Sequence, residues 1–88
     1  MELEVGNLTC DHALNCLGEP CPLPIIKTAK NFPALTLGSV LEVLSDDPGI
    51  LEDMEAWCAS HSQDYLGYRT EDVEGQDAWR VYVRKRRN

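Results

Sequence analysis

Prolines fix where helices can begin in this chain, and two of them follow runs suited to β-strands. In Gly18-Glu19-Pro20-Cys21-Pro22-Leu23-Pro24, Pro22 suits a first helical position, because its φ is already helical and its missing N–H had no intrahelical partner to lose. Cys21 is then the expected N-cap of a helix over residues 22–31, which Pro33 ends. The device recurs in Asp46-Asp47-Pro48-Gly49, where the Asp47 carboxylate can cap a second helix over residues 48–60 and Pro48 can open it. Residues 11–17 and 39–45 precede the two starts, the second run rich in aliphatic and β-branched side chains as a central strand requires. A chain punctuated in this way is confined to strand–helix units.

The first helix mouth also carries chemistry. With prolines at positions 22 and 24, two of the donors that usually point out of a helix mouth are missing. The N–H of Leu23 is left beside the expected position of the Cys21 sulfur. That donor and the positive end of the helix dipole favour a thiolate, and such surroundings bring a cysteine from about 8.5 down to roughly 3.5–7.5. Glu19 and the acidic chain oppose the shift. The residues beside Cys21 in the motif are prolines, with no side chain to act as base or acid, so the thiol reads as a group that receives and hands on an atom rather than one that hydrolyses.

At 88 residues the chain makes one domain, with room for one sheet and one layer of helices. Hydrophobic residues make up 43% and charged residues 26%, the balance of an ordinary globular protein without low-complexity runs. No apolar run approaches the roughly 18 residues of a membrane span, and an acidic start in place of a basic secretory signal predicts a cytoplasmic protein. The four cysteines are then expected to be reduced. Cys10, Cys16 and Cys21 lack the paired spacing of a zinc site, and His12 and His61 supply no second half, so neither a metal nor any other cofactor is expected. The net charge of −7 is uneven: residues 1–83 hold 4 basic against 15 acidic side chains, and Arg84, Lys85, Arg86 and Arg87 supply the rest of the 8. An acidic body repels phosphate backbones and draws a partner with a basic docking surface. The basic end reads as a frayed, solvated tail over residues 86–88, and small size with acidic charge favours a monomer.

Along the chain, residues 1–10 read as an extension or a short edge strand ending at Gly6-Asn7. On the strand over residues 11–17, Leu14 and Cys16 share one face. Cys16 could resolve an oxidised Cys21, or simply fill the core. In the first helix Ile25, Ile26, Ala29 and Phe32 form one stripe and Lys27, Thr28 and Lys30 another; Lys30 is either a docking cation or a solvated one. Capping accounts for Asp47 and a solvated loop for Asp46. In the second helix Ile50, Leu51, Met54, Trp57 and Cys58 recur at helical spacing. Residues 64–70 and 78–83 read as a hairpin joined through Glu74-Gly75-Gln76-Asp77, with Trp79, Val81 and Val83 inward and Arg80, Tyr82 and Arg84 outward. The order β-α-β-α-β-β with right-handed crossovers gives an α+β fold: a two-layer sandwich with a mixed four-stranded sheet and two helices on one face.

The pattern Leu14-Asn15-x-x-Gly18-x-x-Cys21-Pro22-x-Pro24, then Lys30, Gly38, Ser45-Asp46-Asp47-Pro48 and Asp53-Met54-x-x-Trp57-Cys58, resembles the TusA/SirA/YedF-like sulfur-carrier family over residues 11–85. The resemblance implies the same sandwich. It also implies that Cys21 accepts sulfane sulfur as a persulfide from a cysteine desulfurase or rhodanese-like donor and passes it to a relay protein, in tRNA thiolation, molybdenum-cofactor maturation or sulfur oxidation. Gly18, Pro22, Leu23, Pro24, Asn15, Lys30, Asp46 and Asp47 are the implied supporting residues. Asn15 stands where the family usually has aspartate, and Glu19-Pro20 is closer to the YedF-like branch. Such a protein is a sulfurtransferase-type carrier more than a conventional enzyme. Two other readings compete: a thiol redox protein pairing Cys21 with Cys16 or Cys10, and a non-catalytic interaction or regulatory domain using its acidic surface.

Overall fold

The computed structural model describes residues 10–20 and 22–87; Cys21 and the segment read as an extension or edge strand up to residue 9 lie outside the described residues. Strand β1 (His12–Cys16) leads to helix α1 (Leu23–Asn31) and a short 3-10 turn (Phe32–Ala34), then β2 (Val40–Ser45), helix α2 (Gly49–His61), β3 (Asp64–Val73) and β4 (Gln76–Arg84). The sheet runs in the order β1-β2-β4-β3. β1 lies parallel to β2, while β2–β4 and β3–β4 are antiparallel. This is the expected two-layer α+β sandwich with a mixed sheet.

Register explains the core. Leu14 pairs with Val43 and Cys16 with Ser45, while Val43 pairs with Val81 and Leu41 with Val83, so these side chains point to one face. Against them pack Ile50, Met54 and Cys58 of α2 and Phe32 after α1, all buried, with Trp57, Trp79 and Tyr65 at the margin. Both helices therefore cover the same face. The hairpin turn is tighter than expected: only Glu74 and Gly75, both at positive φ (52° and 83°), separate β3 from β4. Two consecutive left-handed residues match the right-handed twist of the strands.

Several expectations need correction. Helix α1 starts one residue later than predicted, with Pro22 at the N-cap and Pro24 inside the first turn. Its buried side is set by Pro24 and Thr28, whereas Ile26 is 44% exposed and Ala29 faces solvent. A hydroxyl can take that place because Thr28 Oγ1 donates to the Pro24 carbonyl at 2.8 Å. Tyr82, outward in register, is buried, its hydroxyl donating to Glu42 Oε2 at 2.9 Å beside an Arg80 guanidinium held by Glu42 and Glu71. The basic end is not frayed either. Lys85 is buried, its ammonium donating to the carbonyls of Phe32, Pro33 and Leu35 at 3.0, 3.3 and 2.7 Å. The backbone N–H groups of Arg86 and Arg87 donate to Gln63 Oε1.

Candidate functional site

Because β1 and β2 are parallel, both helices begin at the same edge of the sheet, beyond the strand C-termini, where open α/β sheets place their ligands. An open cavity of about 520 Å³ lies there, lined by Gly18, Pro20, Asp46, Asp47, Pro48 and Gln76. Gly18 and Pro20, which precede Cys21 in sequence, form one wall of it.

The turn after β1 is built by side chains that bind backbone. Asn15 Oδ1 accepts from the Leu17 N–H at 3.0 Å, closing an Asx turn. Gly18 follows at φ +77°, a conformation that strains any residue with a Cβ, and its N–H donates to Asp46 Oδ2 at 3.0 Å. Asp46 is therefore not a merely solvated loop residue. It ties the turn leading to Cys21 to the segment that opens α2. Helix α2, like α1, starts one residue later than predicted, with Pro48 at the N-cap and no side-chain cap there. Asp47, one residue earlier, accepts from the Gly49 N–H through Oδ1 at 2.9 Å, and its own N–H donates to the buried Ser45 Oγ at 3.1 Å. Asn15, Gly18, Asp46 and Asp47 thus come together. Lys30 does not join them: it is exposed in the last turn of α1, at the other end of the helix.

At the α1 mouth the expected free donor is taken. The Leu23 N–H donates to the Pro20 carbonyl at 3.0 Å, and Leu23 itself is exposed. Pro24 has no N–H, no acidic residue occupies the first turn, and among the described residues no side chain caps the mouth. The positive end of the dipole is accordingly left without a protein carboxylate in the turn itself.

Sequence reasoning missed the ion pair between Lys27 Nζ and Glu19 Oε2. It joins the residue two before Cys21 to the second turn of α1, closing a strap around the Pro20–Ile26 stretch. The pair raises Lys27 above its ordinary value, chiefly through the Glu19 hydrogen bond. Below the strap lies Cys16, fully buried. Desolvation, reinforced by the nearby Glu19 carboxylate, pushes its thiol up, with Lys27 opposing. Glu19 lies in the turn before α1 and Lys27 within the helix, so no helical or strand periodicity could have paired them. Among the described residues no group of three His, Cys, Asp or Glu side chains is arranged to hold a metal, and no helix is long and apolar enough to cross a membrane.

A small α+β sandwich with a proline-flanked cysteine at a helix mouth is the class these features define. Residues 12–85 match the family model of Sulfurtransferase TusA, and the chain belongs to the TusA family. Three relatives carry the description "putative sulfur carrier protein". YrkF of Bacillus subtilis is 43% identical over 58 residues, 66% of this chain and 31% of YrkF, so the match spans about a third of that longer protein. A Halobacterium salinarum protein is 35% identical over 72 residues, covering 82% of this chain and 85% of its own. YedF of Escherichia coli is 34% identical over 68 residues, covering 77% and 82%. The fold matches the crystal structure of a SirA-like protein from Desulfitobacterium hafniense at TM-score 0.67 and 18% identity, over 86% of this chain and 99% of that one.

Proposed function

We propose that Cys21 is the carrier thiol of a persulfide relay, with Gly18, Pro22, Leu23, Pro24, Asn15, Asp46 and Asp47 as the frame that presents it. The observation that carries this reading is the Cys21-Pro22-x-Pro24 sequence at a helix mouth that holds no acid and, among the described residues, no side-chain cap. In the first step the Cys21 thiolate attacks the terminal sulfur of a donor persulfide. The S–S bond of the donor breaks, the donor departs as a thiolate, and Cys21–S–SH forms. In the second step an acceptor thiolate attacks that terminal sulfur and Cys21 leaves as thiolate, so no external oxidant or reductant is consumed. A cysteine desulfurase or rhodanese-like protein is the class of donor, and a protein thiol the class of acceptor. The open cavity beside the turn leaves room for a partner's thiol-bearing loop, and the acidic body favours a partner with a basic face. Lys30, at the far end of α1, has no place in this frame.

Burial weighs against Cys16 as the resolving thiol, since it is fully covered and desolvation pushes its thiol up. Cys10 is exposed, and a Cys10–Cys21 disulfide after mild oxidation is what the redox reading requires. The test is intact-protein mass spectrometry after incubation with a cysteine desulfurase and cysteine. The wild type is expected to gain one reducible sulfur atom and Cys21→Ser none. Equal gain in both proteins, or no gain in the wild type with desulfurase and rhodanese donors alike, would overturn the proposal.

A further inference from the structure

The opposite end of the helix layer holds a second cavity, of about 340 Å³, at the lower end of the usual range for small-molecule sites. Its lining includes Phe32 from the end of α1, Trp57 and His61 from the last turns of α2, Gln63, Lys85 and Arg87. Two properties set it apart. One wall is aromatic: the Trp57 and His61 rings stack at 4.7 Å and 21°, and Phe32 meets Trp57 edge-on at 5.0 Å. The charge is also reversed relative to the molecule. The protein carries −7 overall, yet no carboxylate is among the described residues lining this cavity, while Lys85 and Arg87 are.

The two cations play different parts. The Lys85 ammonium is buried and already donates to three carbonyls at the end of α1, so it offers a ligand charge but no free hydrogen bond. Its full charge outweighs the partial negative charge of that helix end, about half a unit. Arg87 is exposed, and its backbone is pinned by Gln63 through N–H and carbonyl alike. Its neighbour Arg86 is paired with Asp64 at 3.5 Å, whereas the Arg87 guanidinium has no carboxylate partner among the described residues. An aromatic wall, a buried positive charge and an exposed guanidinium carried on a pinned backbone at the rim suit one kind of molecule.

We propose that this cavity binds a small planar aromatic anion, its ring against Trp57 and His61 and its carboxylate, sulfonate or phosphate group on Arg87. The site is separated from the Cys21 end by the length of α1, and the inference stands apart from the sulfur-carrier reading.

The probe is naphthoate, with its uncharged amide as the matched control, followed by calorimetry and by amide and indole NMR shifts on the full chain. A ligand of this size in a half-open site should bind with a dissociation constant between about 10 μM and 1 mM. Naphthoate is expected to shift the Trp57 indole and the Gln63 and Arg87 amides, and naphthamide to bind about tenfold more weakly. Arg87→Gln should weaken naphthoate by about five- to tenfold, whereas Arg84→Gln, which removes the same charge from the outward face of β4, should not change it. Cys21→Ser should bind as the wild type does. Equal affinity for acid and amide, shifts clustered elsewhere, an Arg87→Gln protein that binds unchanged, or no binding up to about 5 mM would each overturn the site.

Discussion

The two ends of the helix layer satisfy their backbone groups in opposite ways. At the far end, where α1 stops and β4 runs out, Lys85 reaches in and occupies three carbonyls, Gln63 ties down the following two residues, and α2 closes with Ser62 left-handed at φ +57° and the Gln63 N–H on the Cys58 carbonyl. At the near end both helices have a proline N-cap without a side-chain cap. Asp47 takes the first N–H of α2, that of Gly49, from one residue further out, while α1 opens on two prolines with no such side-chain acceptor among the described residues. The far end is closed around the buried Lys85 ammonium; the near end is held by part-buried and exposed contacts of Asn15, Asp46 and Asp47. Stability is therefore expected to be mutable at the first end without changing reactivity at the second.

The largest effect is expected from Lys85→Met. The substitution fills similar space but leaves the Phe32, Pro33 and Leu35 carbonyls without a donor, which should destabilise the fold by about 2–4 kcal/mol and lower Tm by more than about 10 °C. Urea and thermal unfolding measure it. Alkylation of Cys21 well below the transition should proceed at the wild-type rate; a changed rate would mean that the two ends are coupled.

Alkaline pH attacks the fold without a mutation. Burial, aided by nearby carboxylates, pushes Cys58 and Tyr65 up to about 12, and burial with the Glu42 hydrogen bond does the same for Tyr82. These groups are acids held neutral in the folded protein. Their contribution is complete below the unfolded values, about 8.5 for cysteine and about 10 for tyrosine, and is lost as pH rises from there toward 12, because the unfolded chain releases protons that the folded one keeps. Unfolding midpoints should fall steadily above pH of about 9. Tyrosinate absorbance of Tyr65 and Tyr82 should appear only with unfolding; free titration of both in the folded protein near the ordinary value would contradict their burial.

The near end should respond more mildly. Asp47→Ala removes the acceptor of the Gly49 N–H and is expected to lose about 1 kcal/mol, read as a Tm fall of about 4–8 °C. Asp47→Asn, which keeps an acceptor oxygen, should recover most of it. If Asn rescues nothing, the carboxylate serves something other than the cap.

How much of this asymmetry the sequence disclosed depends on range. The prolines placed both helices at the correct edge, and the alternation of Trp79, Val81 and Val83 oriented β4, because both signals are local. The start of α1 lies one residue later than expected, where the Pro20 carbonyl takes the Leu23 N–H. The inward stripe differs from the expected one for a separate reason, since Thr28 satisfies its hydroxyl on the Pro24 carbonyl and so is buried where Ile26 was expected. Lys85 looked like part of a charged tail. Its burial depends on carbonyls some fifty residues earlier, which come into reach only once β4 has paired with β2. Asp46 and Gly18, 28 residues apart, were likewise joined only by the parallel pairing of β1 and β2.

The smallest effect on stability should come from Glu19→Gln, and it is the sharpest test of the near end. The Glu19–Lys27 pair is half-buried, with side-chain exposures of 28% and 43%, but glutamine keeps the shape of Glu19 and an acceptor oxygen for Lys27, so little stability should be lost. The Tm should not move measurably. The charge change matters locally, because Glu19 is a carboxylate two residues before Cys21 and it strengthens the hold of Cys16 on its proton. Removing it takes away a negative charge that disfavours thiolate and frees the Lys27 ammonium, and both changes favour ionisation. The midpoint of the pH dependence of Cys21 alkylation, followed by mass spectrometry, should therefore fall, while Cys16 stays unreactive because burial, the larger cause of its shift, is untouched. Lys27→Met should move the midpoint the opposite way. If both variants shift it in the same direction, the strap acts by holding the shape of the Pro20–Ile26 stretch rather than by charge.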